Sequence, residues 1–585
     1  MFLVTTANQN FWKTDDPILF LGEWCRVYSQ KHIWSELSDT VLPFHGRDRE
    51  QLFRDYQYSM DVYERVLDQL SKELNKLHGL NYSSRYWRII IGPWLSYFVE
   101  VFLDRYRSIC IAAESGKVTN TWITTEFKGQ YLPNDMNEFR DRCKGDDYNH
   151  YLFSVIIKYL GTIPWEAKQN VDFLNFEYKP AIASQDKDFK STMIRLVGAC
   201  SRFVPDSLRK VVAIQSYIKP IDLMKLQLSM KMFPCLYGPE IDTVASKVDW
   251  AMRQNIRLDQ RKNSFESILE ECIPLHIPKV YIEGYTDMVQ RVMKVYPKNI
   301  KVILTSNAYK GNEGFKFWAA SQVDRGVKLG ITQHGGHVGD ALWSTDDDHE
   351  IKISDRYFSW GWTQNNESKV VPTPSSMLSR AKNCKPDPNG SILCVSSTSP
   401  RYPYLMFSFP NGPLVLESFK LQRKFSHMVS SPVLSHLVFR LAEESGWEER
   451  LRWLDSDRLP HIYQGNMSYY NHLARSRLCV CFYNGTPFLE TFVANFPTIL
   501  CWDPRYTELN ASAQPYFNLL KNVGILHETP ESAASKLNKI YQNPLSWWVS
   551  PKVQDAKNKF CDRFARTGND WKAQWQGELS KLICE

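Results

Sequence analysis

The sequence is poor in glycine and lacks the patterns that mark the common nucleotide- and metal-using enzymes. Only 27 of its 585 residues are glycine. That is too few for collagen-like, elastic or Gly-rich phosphate-loop architectures. It contains no P-loop, no complete GxGxxG, no HExxH and no GxSxG. Kinase, P-loop ATPase, NAD(P) dehydrogenase, zincin and α/β-hydrolase readings therefore lose support. The 13 cysteines form no CxxC and no paired Cys/His spacing of the zinc type. Scattered thiols point to a reducing cytoplasm, and Cys479 and Cys481, two apart in an apolar run, read as buried. No basic run exceeds three residues, and the net charge is only +7, from 71 basic and 64 acidic residues. This is not the clustered stripe of a nucleic-acid protein, although it permits an anionic ligand or membrane surface. Long hydrophobic runs are missing too. The most apolar stretch, residues 89–103, is too short to span a bilayer and carries Glu100, so a buried helix is expected. No signal-peptide pattern is seen, because residues 1–6 already read as a strand.

What the chain has in excess is aromatic side chains, at 14% of residues, within a hydrophobic fraction of 43%. Large cores and two to four domains are expected, and flat rings also suit sugars and bases. Residues 363–390 hold four prolines and few apolar side chains, which reads as a linker. The expected division is residues 1–365, a linker at 366–390, and residues 391–585. In the last part, short apolar runs at 392–396, 437–441, 478–483, 497–502 and 523–526 alternate with helical spacing. Such a rhythm predicts a parallel sheet covered on both faces. The first part reads as a second doubly wound domain, with strands at 2–6, 18–21, 279–283, 300–305, 327–332 and 357–360. A large helical insertion is expected at about 47–265. The fold class is thus α/β, with two doubly wound domains facing a cleft, and ligands belong beyond the carboxyl ends of the strands.

Two strand ends stand out. Gln333-His334-Gly335-Gly336-His337 follows the run ending at Ile331. Its glycines allow close backbone approach, its N–H groups suit an anion, and His334 suits a general base. Asn484-Gly485-Thr486-Pro487 with Glu490 follows the run at 478–483. It reads as a helix start with Thr486 at the N-cap, where phosphate is held by free N–H groups and Glu490 reaches ribose hydroxyls. Arg440, Ser397 and Arg401, after neighbouring strands, are candidates to clamp phosphate. Asp340 and Glu23 are further acid/base candidates. The run Asp346 to Glu350 reads as a solvated acidic loop, and Asp355 as orienting the next strand.

Several segments, LVTTANQNFW, LFLGEWC, RYWRIIIGPWL, GITQHGGHVGD, HEIKISDRYFSWGW and NGTPFLETFVANFPTILCWD, together resemble a bacterial family of surface-polysaccharide and O-antigen biosynthesis transferases. The Gln-His-Gly-Gly and Thr-x-x-x-Glu elements are also similar to those of two-domain GT-B glycosyltransferases. The resemblance implies a nucleotide-sugar donor on the C-terminal domain and a glycan or lipid-linked glycan acceptor on the N-terminal one. It implies a cytoplasmic enzyme, peripheral at the inner face of the cytoplasmic membrane, with no nucleic-acid partner.

The expected function is therefore glycosyl transfer without a cofactor or metal. His334, Asp340 or Glu23 would deprotonate the acceptor. Ser397, Arg401, Arg440, Thr486 and Glu490 would hold the donor, and Gln333, Gly335, Gly336 and Gly485 would form the anion-binding turns. An epimerase-like nucleotide-sugar enzyme and a non-catalytic component of a polysaccharide assembly complex are the alternatives. A metal-dependent phosphotransferase built on the Asp346–Glu350 run is a weaker third. Trp12, Trp24, Trp343, Trp360, Trp362, Tyr483, Phe488 and Trp502 flank the strand ends, so some of these rings are expected to wall the cleft.

Overall fold

The computed structural model describes the chain except residues 126–128, 169–203, 206–207, 236–240, 244–245, 260, 366, 382–383 and 444. Among the described residues the strands form three parallel sheets. The first contains β1 (Phe2–Val4), β2 (Ile18–Phe20), β3 (Asp39–Val41), β4 (Asn120–Ile123) and β5 (Glu166–Ala167), in the order β3-β2-β1-β4-β5. The second contains β6 (Val211–Ile214), β7 (Val302–Thr305), β8 (Lys328–Thr332), β9 (Arg356–Ser359) and β10 (Val370–Pro372), in the order β10-β9-β8-β7-β6. The third contains β11 (Ser391–Val395), β12 (Leu437–Arg440), β13 (His461–Ile462), β14 (Ser476–Cys481), β15 (Thr498–Cys501) and β16 (Leu526–His527), in the order β13-β12-β11-β14-β15-β16. The first and third sheets reverse direction at β1/β4 and β11/β14, and such switch points open a crevice beyond the strand ends.

The α/β class and the parallel sheets are as the sequence led us to expect. The N-terminal part differs in holding two sheets rather than one with an insertion. Strands β4, β5 and β6 all fall within the stretch expected to be helical. Periodicity alone cannot separate a four-residue apolar strand such as β6 from a buried helical turn, and β5 is two exposed residues. Residues 279–283, expected as a strand, form a short 3-10 turn at Lys279–Tyr281. The helical heart of the insertion is present as α1 (Arg49–His78) and α2 (Ser84–Glu114). Asp48 and Ser83 cap these helices by accepting from Gln51 N and Tyr86 N. The apolar stretch at 89–103 is the buried middle of α2. Within it Gly92 permits a close approach, because a Cβ there would lie 2.7 Å from His349 Cε1 and 2.9 Å from the Tyr63 hydroxyl. No helix among the described residues is long and apolar enough to cross a membrane.

The expected boundaries also shift. The supposed linker contributes β10, paired with β9 along Val370↔Tyr357 and Val371↔Phe358. Helix α3 (Asp146–Leu160) packs against α2, and α4 (Thr345–Ile353) lies beneath the end of β8. In the third unit, α5 (Val415–Met428) follows β11 and α6 (Thr486–Val493) follows β14. The last helix, α7 (Trp571–Cys584), leaves that unit and returns to the second sheet. Its Trp571, Trp575, Leu579 and Leu582 pack on Val211, Val302, Leu304 and Phe358, and Trp575 Nε1 donates to Pro374 O at 2.9 Å. Residues 391–585 are therefore not one self-contained body. On the third sheet, Ile392 and Cys394 face one core while Leu393 and Val395 face the other. Both faces are dry, which is why its strands read as unbroken apolar runs. Cys479 and Cys481 are buried there, as expected.

Candidate active site

The two loops singled out from sequence meet face to face. Gly336 N donates to Thr486 Oγ1 at 2.9 Å, across 150 residues of chain. A Cβ on Gly336 would lie 2.6 Å from Gly485 C and 2.7 Å from Thr486 N, so only glycine lets the turn after β8 rest on the start of α6. Thr486 is the first helical residue, not the N-cap. Gly485 occupies the N-cap, with extended backbone and no side-chain cap. The Thr486 hydroxyl is thereby free to accept from the facing loop instead of closing its own helix, whose positive end remains uncapped. Gln333, expected to bind an anion, is a strut. Its Oε1 accepts from Trp360 N and Trp362 Nε1, both at 2.8 Å, and its Nε2 donates to Gly335 O at 2.8 Å.

His334 stands at the end of the second sheet with 21% of its side chain exposed. Burial, reinforced by the nearby Lys310 ammonium, pulls its pKa down to about 4, so the imidazole is neutral at physiological pH. Its Nδ1 is buried without a hydrogen-bond partner, 3.5 Å from Glu350 Oε1. The Tyr217 ring stacks on it at 6.4 Å between centroids. Arg380 donates to Tyr217 O at 2.9 Å and also acts on the Tyr470 hydroxyl, which hydrogen-bonds Glu490. Glu490 is carried by α6, and burial raises its carboxyl to about 7, against the Tyr470 hydrogen bond. Ring stacking, a hydrogen bond and the charge of Arg380 thus relate His334 of the second sheet to Tyr470 and Glu490 of the third. Tyr217, Lys310, Arg380 and Tyr470 were missed from sequence. Each stands outside a strand-end motif and joins the site only through tertiary contacts.

The other candidates are spread more widely. Ser397 lines a shallow concavity with Tyr483, Trp502 and Asp503, at the β11/β14 switch point and the end of β15. Arg440 donates to Met467 O at 2.7 Å. Arg401 turns away from that concavity. It pairs with Asp146 at 2.6 Å, the first residue of α3, and also donates to Trp24 O. Glu23, 39% exposed, follows β2 in the first sheet and lies 3.9 Å from Arg26. Asp340, a candidate base, is enclosed in an ion pair. Its Oδ1 lies 2.8 Å from His337 Nδ1 and accepts from Asn484 Nδ2 at 3.0 Å. His337 Nε2 lies 2.8 Å from Ser408 O. Burial pulls the His337 ring down, but the Asp340 carboxylate outweighs it and holds the pKa above the ordinary 6.5. His337 adopts φ +63°, a strained conformation for a side-chain-bearing residue, fixed here by partners from both loops.

The acidic run is not a solvated loop. It forms α4, and a helix turns successive side chains in different directions. Asp346 pairs with Lys310 and accepts from Tyr97, Asp347 accepts from Ser344 Oγ and Gly339 N, Asp348 accepts from Tyr56, and Glu350 accepts from Tyr309. Each carboxylate is thus taken up by its own partner, and no three His, Cys, Asp or Glu side chains among the described residues group as a metal site. Asp355 does orient β8, with its Oδ2 accepting from Leu329 N at 2.8 Å. Of the expected aromatic walls, Trp12, Trp24, Trp343, Trp360, Trp362, Phe488 and Trp502 are core residues, and of these only Trp502, together with Tyr483, also lines the concavity.

A family model described as LIC12162 family transferase matches residues 1–579. The chain belongs to the LIC12162 family of transferases. No curated protein matches it. Solved structures similar to this LIC12162-family chain include MurG of Acinetobacter baumannii, with 10% identity, 64% of this chain and 99% of that one covered, and a TM-score of 0.33. The wall teichoic acid polymerase TagF matches at 12% identity over 51% and 85% of the two chains, with a TM-score of 0.26. Spinosyn rhamnosyltransferase SpnG with bound aglycone matches at 11% identity over 52% and 80%, with a TM-score of 0.27. Likeness at this level adds nothing to the geometry. The LIC12162-family assignment fixes a transferase.

Proposed function

We propose that this transferase moves a glycosyl group from a nucleotide-sugar to a hydroxyl of a bacterial surface glycan of O-antigen or capsule type, in a GT-B-like cleft and without a bound metal. The observation that carries the reading is the contact of Gly336 N with Thr486 Oγ1, which sets the strand ends of the second and third sheets against each other. The donor diphosphate would lie at the uncapped start of α6, where N–H groups and the helix dipole favour negative charge. Glu490, half-protonated near neutral pH, would hydrogen-bond a ribose hydroxyl in either state. The rest of the donor would lie against the surface at Ser397 and Tyr483, beside the β11/β14 switch point.

The acceptor would enter from the side of the second sheet. His334, neutral at physiological pH, would take the acceptor proton as the oxygen attacks the anomeric carbon and the donor phosphate departs. Asp340 is already paired with His337, so His334 is the better base.

Calorimetric titration with UDP, GDP, CDP and CMP is the first test. One nucleotide should bind, and His334→Ala and Glu490→Ala should each abolish transfer with the fold intact. Absence of nucleotide binding, or near-wild-type turnover in both variants, would overturn the reading. We also propose a peripheral contact with an anionic membrane through the helix Pro220–Ser229. There Ile221 and Leu228 are 56% and 57% exposed, close in sequence to Lys219, Lys225 and Lys231. Co-sedimentation with phosphatidylglycerol but not phosphatidylcholine vesicles is the expected result.

A further inference from the structure

We infer that Glu350 is the positioning residue for His334: it engages ring Nδ1 from below and so leaves Nε2 as the nitrogen with a free lone pair. This rests on the proposed role of His334 as the base.

The geometry is that of two unsatisfied groups facing each other. His334 Nδ1 is buried and unpartnered, and Glu350 Oε1 lies 3.5 Å away. Glu350 is completely buried, and its Oε2 also lacks a partner. A buried polar atom without a partner carries the full cost of its lost hydration. A small approach would convert the pair into one hydrogen bond. Oε1 already accepts from the Tyr309 hydroxyl, so it is an acceptor whether or not Glu350 carries a proton on Oε2. An oxygen has room for a second donor. With the carboxyl proton on Oε2, the side of the equally unpartnered Tyr357 hydroxyl, the donor to Oε1 is Nδ1–H, and a neutral ring protonated at Nδ1 is bare at Nε2.

The groups facing this pair are few. Tyr309 and Lys310 approach from the turn Ala308–Gly311, the unpartnered Tyr357 hydroxyl from β9, and Asp346 and Asp347 from the same helix as Glu350. Tyr217 covers His334 from the other side. Lys310 is committed to Asp346, at 2.5 Å. Burial and Asp347 push the Glu350 carboxyl well above its ordinary range, consistent with a proton on Oε2 and a carbonyl-like Oε1 toward the ring. In the proposed step, the acceptor O–H bond breaks and its proton goes to Nε2. The oxygen keeps the electron pair and bonds to the anomeric carbon, and the C–O bond to phosphate breaks with its pair on the phosphate.

The test needs no sugar donor. Diethyl pyrocarbonate acylates a bare imidazole nitrogen, and peptide mass spectrometry reads the rate at His334 against exposed His461 in the same chain. Glu350→Leu, which removes the acceptor, should lower the relative rate at His334 several-fold by releasing the ring to the other tautomer. Glu350→Gln, which keeps an acceptor oxygen, should retain most of it. Equal relative rates in the wild type and a folded Glu350→Leu variant would overturn the inference. Should Glu350→Leu fail to fold, long-range ¹H–¹⁵N spectra of histidine-labelled wild type, with the signal assigned through His334→Gln, decide the matter. The Nδ1–H tautomer upholds the inference and the Nε2–H tautomer overturns it. Neither readout depends on nucleotide binding, so the failure of the proposed glycosyl transfer would be seen separately.

Discussion

Replacing Gly336 by alanine tests whether the two loops form one rigid site. The new methyl would sit 2.6 Å from Gly485 C, 2.7 Å from Thr486 N and 2.9 Å from Gly485 O. All three are backbone atoms at a helix start, so no side chain can rotate away. Carbon–carbon contacts relax at about 3.5–4.0 Å, so the loops must part by roughly 1 Å. That movement stretches the 2.9 Å Gly336 N to Thr486 Oγ1 hydrogen bond beyond useful length. Overpacking of this kind costs about 1–3 kcal/mol, and the lost bond roughly another 1 kcal/mol. A total of about 2–4 kcal/mol is expected. Gly335→Ala is the matched control, since its Cβ would meet only Thr486 Oγ1 at 3.4 Å, an ordinary contact. Urea unfolding followed by tryptophan fluorescence should show the first transition of Gly336→Ala at clearly lower urea, with Gly335→Ala close to wild type. Coincident curves for all three proteins would refute the close approach, and with it the picture of a preassembled cleft.

Three further outcomes are expected. The raised pKa of His337 contributes stability that is full below the ordinary 6.5 and is lost as pH rises through its higher folded value. Stability measured from pH 6 to 9 should therefore fall in the wild type, and Asp340→Asn should remove that component and lower stability by about 3–5 kcal/mol by breaking a buried pair. Burial raises the Glu490 pKa to about 7, so its contribution is present below pH 4.5 and lost as pH rises through 7. Glu490→Gln should accordingly flatten the stability profile between pH 5 and 8 and be the more stable protein at pH 8, and a profile parallel to wild type would contradict this. Arg401→Ala should destabilise by about 1–3 kcal/mol through loss of its charged hydrogen bonds to Asp146 and Trp24 O, yet leave nucleotide affinity in the folded protein near wild type; loss of affinity would restore Arg401 to the proposed donor site.

The sequence was most informative where a property is local. An unbroken apolar run bounded by turn residues, such as the one around β14 or β15, has to be a doubly covered strand, and its end is fixed by the next Gly or Asn. The sequence was least informative where an element is short, polar or at a sheet edge. β3 (Asp-Thr-Val) and β5 (Glu-Ala) carry no hydrophobic signal because little of them is buried. The long helices α1 and α2, inserted between β3 and β4, then drew the whole region toward a helical reading. The acidic stretch misled for a different reason. Its charge suggests solvent, but a buried helix can keep Asp346 and Glu350 because Lys310, Tyr97 and Tyr309 come to them from distant segments.

The sequence by itself determined the α/β class, the parallel third sheet, the absence of the common nucleotide- and metal-binding motifs, and the two glycine-containing strand ends. These follow from burial periodicity and backbone freedom, which are properties of a few neighbouring residues. Only the tertiary structure decided what each polar side chain does. It enclosed Asp340 in a pair with His337, sent Arg401 to Asp146, gave Gln333 to Trp360 and Trp362, and set Glu350 beneath His334. Glycine scarcity acquires its meaning at the same level. With so few glycines, the one at 336 stands where two backbones meet at a distance no side chain allows, and the identity of that neighbour lies 150 residues away.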